Sequence, residues 1–110
     1  MHKYSSIRVG IGGMTGYTTS KAALEGMTRG LARDLGKDNI RINTLIPGWV
    51  MTARQLQDWV NEDTLAEIQR SQCLKNQLMP DDICAMALFL ASDDSRVCTA
   101  QHFIVDGGWI

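Results

Sequence analysis

The sequence predicts an α/β fold, half of a doubly wound domain built on a parallel sheet. Three observations lead there. A long amphipathic helix pattern is followed by a short β-branched strand, and a second helix pattern by a second apolar strand, so the elements alternate. Each helix-to-strand connection is short, and such alternation places right-handed crossovers against parallel strands. Only two strands are evident, whereas a buried parallel sheet wants more neighbours.

Residues 1–16 are rich in Gly and Ser and end in GIGGMTG, which reads as a loop. A helix is expected over 17–36, where Leu24, Met27, Leu31 and Leu35 recur at three- and four-residue spacing and Arg29, Arg33 and Asp34 take other faces. Gly36, before the polar KDN, is the expected C-cap. IRINTLI, stopped by Pro47-Gly48, predicts a mostly buried strand over 40–46. The polar stretch 52–78 carries Trp59 and predicts one or two short helices, the second opening near Asp63. Pro80-Asp81-Asp82 is a helix-start signal for 80–92, with acids at the positive end of the dipole and Ile83, Met86, Ala87 and Leu90 as its apolar stripe. HFIVD predicts a strand over 102–106, closed by a glycine pair.

Composition narrows the function. The 110 residues allow one domain with a modest core, and 45% hydrophobic with 21% charged residues is the balance of an ordinary globular protein. A net charge of −1, with both signs scattered, favours neither nucleic acid nor an anionic membrane. No apolar run approaches the roughly 20 residues of a membrane span, and MHKYSSIRVG is too short and polar for a secretory signal. Cys73, Cys84 and Cys98 are odd in number and lack CxxC spacing, which points to a reducing cytoplasm, no metal site, and buried or free thiols that serve as small hydrophobes, with Cys73 the most exposed by context.

The chemistry centres on YTTSK. On a helix, Tyr17 and Lys21 lie on one face a turn apart. A phenol with a pKa near 10 is a poor acid or base at neutral pH until a nearby cation stabilises its phenolate. Lys21 is spaced to supply that charge, and the pair could then exchange a proton with an alcohol or carbonyl. Taken alone, the same spacing is equally that of an ordinary helix surface.

Four blocks occur in order: YTTSKAALEGMTRGLARDLG, IRINTLIPGWVMT, PDDICAMALFLASDDS and IVDGG. Together they resemble the C-terminal half of a short-chain dehydrogenase/reductase, over nearly the whole chain. The resemblance implies a Rossmann-type fold, a dimer or tetramer, and hydride transfer between NAD or NADP and a small-molecule alcohol or carbonyl. It implies that Tyr17 is the catalytic acid/base and that Lys21 lowers its pKa and binds the nicotinamide ribose. Pro47, Gly48, Val50 and Thr52 match PGxVxT, implying that this run holds the nicotinamide carboxamide and a nearby phosphate. The strand's carboxyl edge is where open α/β sheets bind ligands. The catalytic serine's register falls on Tyr4; a loop shorter by two residues would put Ser6 there, and otherwise Ser5 and Ser6 are loop hydroxyls.

The stretches QCLK, SDDSRVCT and DGGW resemble the family's bacterial sugar 1-dehydrogenases, of the xylose, arabinose and fucose type. This implies oxidation of an anomeric hydroxyl to a lactone, with 52–78 as a lid in which Arg54, Gln55 and Trp59 face the sugar. The alternative for Trp59 is a surface helix packed onto the core. Gly26 and Gly30 on the Tyr17 helix suit either close approach of a second subunit or packing within the protein. The family's GxxxGxG phosphate loop is not found, and GIGG at Gly10–Gly13 sits in the loop leading to Tyr17. The expectation is therefore a C-terminal fragment with weak or no cofactor affinity by itself, serving either as part of an enzyme or as an inactive structural partner of intact subunits. The residue that selects NAD over NADP would lie in the absent half.

Overall fold

The computed structural model describes residues 12–58 and 60–110, so Ser5, Ser6 and Trp59 lie outside the described residues. In chain order the elements are α1 (Thr15–Leu35), a 3-10 turn (Gly36–Asp38), β1 (Thr44–Pro47), α2 (Ala53–Asp58), α3 (Glu62–Ser71), α4 (Pro80–Ala91), a second 3-10 turn (Asp93–Ser95) and β2 (His102–Val105). β1 and β2 pair in parallel, with Thr44 opposite His102 and Pro47 opposite Val105.

α1 is set on the sheet by small and polar residues. Thr28 and Ala32 are its buried positions, and the Thr28 hydroxyl lies 2.7 Å from that of Thr44 on β1. The expected stripe of Leu24, Met27 and Leu31 is instead 42%, 53% and 38% exposed. Helical spacing identifies an apolar face; it does not say what covers that face.

The end of α1 also differs from expectation. Gly36 stays right-handed at φ −61° and donates to Ala32 O, so the chain continues into the 3-10 turn. Asn39, at φ 59°, takes the left-handed position that stops it. Asn tolerates that region because its short amide bonds locally.

β1 is shorter than the predicted 40–46 and ends one residue later. Ile40 is 47% exposed and only Ile46 of the run is buried, so the run is not mostly buried. In the loop before β2, Ala100 adopts φ 58°, which interrupts regular strand geometry, while its N–H still donates to Ile42 O at 2.7 Å. Side chains complete the pairing there: Ile42 N donates to Thr99 Oγ1 at 3.1 Å, and Asn43 Nδ2 to Cys98 O at 2.8 Å. Arg41 reaches across to the end of α4, its guanidinium donating to Ser95 O (3.0 Å), Ser95 Oγ (2.9 Å) and Leu90 O (2.9 Å). This satisfies carbonyls that a helix C-terminus leaves without partners.

α3 opens on a capping box, in which Thr64 N donates to Asn61 Oδ1 at 2.9 Å and Asn61 N to Thr64 Oγ1 at 2.7 Å. α4 opens on Pro80, with Met79 N donating to Asp82 Oδ2 at 2.7 Å. Ile46, Met51, Ile68 and Leu78 form the buried apolar centre with Ala32. All three cysteines are free, as expected, and Cys73 is exposed; Cys84 is exposed and Cys98 half-buried, so they are not the small buried hydrophobes expected.

Candidate functional site

α1 returns the chain to β1 through the short connection 36–43, so helix and strand run in opposite senses. The Thr28–Thr44 contact fixes their relative height. Tyr17 is eleven residues up the helix from Thr28, about 16 Å at 1.5 Å per residue. Gly48 is four residues along from Thr44, about 13 Å at 3.3 Å per residue. By these rises Tyr17 lies toward the carboxyl end of the sheet, the side on which the chain leaves β1.

Tyr17 and Lys21 are both half-buried. The Lys21 ammonium lies over the Tyr17 ring, 5.4 Å from its centroid. There it faces the negative face of the π system. Burial pushes the Tyr17 phenol above its ordinary value, because a desolvated phenolate is disfavoured. Beside this pair the Thr18 hydroxyl is buried without a hydrogen-bond partner among the described residues.

Pro47, Gly48, Val50 and Thr52 form one continuous run at this edge. Gly48 N donates to Val105 O at 2.8 Å, carrying the ladder one step past β1. A β-carbon at Gly48 would sit 2.6 Å from Asp106 Cα and 2.8 Å from Leu78 Cδ1, which is why the position takes glycine. Val50 bridges Leu78, and Met51 N donates to Leu78 O at 2.8 Å. The exposed Thr52 accepts from Gln55 N at 3.2 Å on its hydroxyl and from Leu56 N at 2.9 Å on its carbonyl, opening α2. Arg54 pairs with Asp58 on the outside of α2 at 3.6 Å.

Sequence reasoning missed the strap that closes this edge. The C-terminal residues lie along the end of α3: Cys73 N donates to Gly108 O (2.8 Å), Leu74 N to Gly107 O (2.9 Å) and Ile110 N to Ser71 O (3.0 Å). Gly107 and Gly108 both have positive φ, and a β-carbon at Gly107 would meet Gln72 Cδ at 2.7 Å. Gln72, 1% exposed, donates from Nε2 to Leu74 O and to Asn76 O, the latter at 2.7 Å. Trp109 then stacks on Trp49, with centroids 6.2 Å apart and planes at 24°. The glycine pair in DGGW was the available signal; what it turned against was not visible.

Known proteins resemble this chain in sequence and fold. All of residues 1–110 match the protein-family model described as Enoyl-(Acyl carrier protein) reductase. The chain belongs to the short-chain dehydrogenase/reductase family. It is 44% identical over 104 residues to D-xylose 1-dehydrogenase of Caulobacter vibrioides, covering 94% of this chain and 42% of that protein. It is 49% identical over 92 residues to a probable galactose dehydrogenase of Rhizobium meliloti, covering 84% and 36%. Among solved structures, 7α-hydroxysteroid dehydrogenase complexed with NADH and 7-oxo glycochenodeoxycholic acid superposes with a TM-score of 0.85 at 30% identity, over 96% of this chain and 41% of that one. This short-chain dehydrogenase/reductase chain spans about two-fifths of the length of the curated relatives it matches, and its fold is of the Rossmann type seen in such structures.

Proposed function

We propose that this short-chain dehydrogenase/reductase chain carries the catalytic edge of an NAD(P)-dependent oxidoreductase that oxidises the C1 hydroxyl of a sugar to a lactone. The observation behind this reading is that Tyr17 lies toward the end of the sheet where the Pro47–Thr52 run leaves β1, and the likeness to xylose and galactose dehydrogenases supplies the substrate class. The donor set suits a nicotinamide riboside. Lys21 is half-buried and makes no ion pair among the described residues, leaving its ammonium for ribose hydroxyls. Pro47, Gly48, Val50 and Thr52 would flank the carboxamide. When bound, the nicotinamide accepts hydride.

The C1–H bond breaks with its electron pair, the C1–O bond becomes double, and the hydroxyl proton goes to the Tyr17 phenolate. Ser6 would hold the substrate oxygen. The segment 52–78, carrying Arg54 and Gln55 on α2, would close over the sugar as a lid. Among the described residues no helix is long and apolar enough to cross a membrane, and the three free thiols suit a reducing cytoplasm.

The test is oxidation of a panel of aldoses with NAD+ and NADP+ by the protein as its gene encodes it, with lactone detected as product. Turnover of secondary alcohols but of no aldose would sink the sugar assignment. A second reading, a structural partner of other subunits, is favoured by the apolar face of α1, where Leu24, Met27 and Leu31 stand exposed. We read that face as a contact between copies, Gly26 and Gly30 allowing close approach, and light scattering reads it directly. A monomer at micromolar concentration would remove it.

A further inference from the structure

At the opposite end of α1 lies a cleft of 670 Å³ that the proposed reaction does not use. Its walls carry Arg29, Arg33 and Lys37 on one side and Thr99 and Gln101 on the other, and no acid lines it. Arg29 is twelve residues from Tyr17 along α1, about 18 Å at 1.5 Å per residue, and Lys37 is farther still. The cleft is therefore remote from the catalytic edge.

The three cations follow one another at four-residue spacing, so each like-charged neighbour disfavours the next. Among the described residues nothing relieves this. Glu25 is spaced one turn before Arg29 but turns to His102 Nδ1, 3.9 Å away. Asp34 and Asp38 are exposed and lie outside the cleft, and none of the three cations is ion-paired among the described residues. The helix dipole accounts for cations in the last turn only, and Arg29 lies before it. Ala32 and Gly36 keep the helix side of the cleft low, and a β-carbon at Gly36 would meet nothing within 4 Å.

We propose that this cleft binds a compact phosphorylated anion. Two guanidinium forks can each engage two oxygens of a phosphate, and Lys37 adds a point charge. The cavity is large enough for two linked phosphate groups.

Inorganic pyrophosphate is the probe, read by the thermal unfolding midpoint of the protein at constant ionic strength. Pyrophosphate is expected to raise the midpoint, and sodium chloride of equal ionic strength to leave it unchanged. The R29Q/R33Q double variant should weaken the apparent affinity about tenfold or more, as loss of charge-assisted bonds implies. The control R70Q/R96Q, which removes the same charge from exposed positions elsewhere, should keep the response. Equal protection by chloride or by citrate would overturn the phosphate assignment. So would an unchanged response in R29Q/R33Q, or loss of the response in R70Q/R96Q.

Discussion

Gly48 and Asp106 touch across the end of the sheet: a β-carbon on Gly48 would stand 2.6 Å from Asp106 Cα. The contact joins the segment leaving β1 to the segment leaving β2 at the carboxyl edge of the sheet. Backbone cannot move aside as a flexible side chain can. Gly48→Ala is expected to destabilise the protein by about 2 kcal/mol, the usual scale for an overpacked site. Urea denaturation checks this, and an unchanged midpoint would show that the two segments separate easily.

Arg41 is the second structural anchor. It bridges the approach to β1 and the carboxyl end of α4 through its bonds to Leu90 O and Ser95. Arg41→Ala strands several carbonyls at once and should cost about 3 kcal/mol, since bonds to charged donors are worth roughly 1.5–3 kcal/mol each and are not additive. Arg41→Lys should recover little, because a point charge cannot fork. Denaturant titration of both variants gives the comparison.

Asn39 isolates backbone strain. It occupies φ 59° at the end of the 3-10 turn. Asn39→Gly should be neutral or slightly stabilising, whereas Asn39→Ala should lose about 1 kcal/mol for placing a β-carbon in the left-handed region. A reversed order in thermal melts would show that the amide's own bonds matter more than φ.

Tyr17 carries the chemical prediction. Tyr17→Phe should lower aldose oxidation by about 10²–10⁴-fold, the range for a lost general acid/base, and leave cofactor affinity unchanged. Its pKa is raised by burial, so less phenolate is present at neutral pH than in a free phenol. Proton abstraction needs that phenolate, so oxidation should quicken as pH rises from 7 and level off only above the ordinary phenol range. Carbonyl reduction, which needs the phenol, should stay level and fall only at that alkaline end. Stopped-flow rates in both directions across pH test the sign; a rate of oxidation that falls with pH would assign the proton transfer to another group.

Lys21→Met separates the two tasks assigned to Lys21. With its ammonium over the Tyr17 ring at 5.4 Å, its removal should raise the cofactor KM more than it moves the alkaline limb of the pH profile. A shifted limb with unchanged KM would mean that Lys21 acts on the phenol oxygen during turnover.

Local signals decided a good part of this protein. The alternation of helix and strand, Pro80 opening α4 and Pro47-Gly48 ending β1 are properties of neighbouring residues, and neighbouring residues carry them. The YTTSK and PGWVMT blocks marked the family for the same reason: each is a short run whose spacing is the message. The structure alone decided what those elements face. Leu24, Met27 and Leu31 have the period of a buried stripe, yet Thr28 and Ala32 make the contact with the sheet. The spacing of Tyr17 and Lys21 places them on one face, but only the structure sets the ammonium over the ring, 5.4 Å from its centroid. The Gly107-Gly108 strap, the Trp49–Trp109 stack and the Gln72 bonds join residues far apart in the chain. Periodicity specifies direction around a helix or across a strand; contact depends on what the rest of the chain brings to that side, and only the tertiary structure contains that.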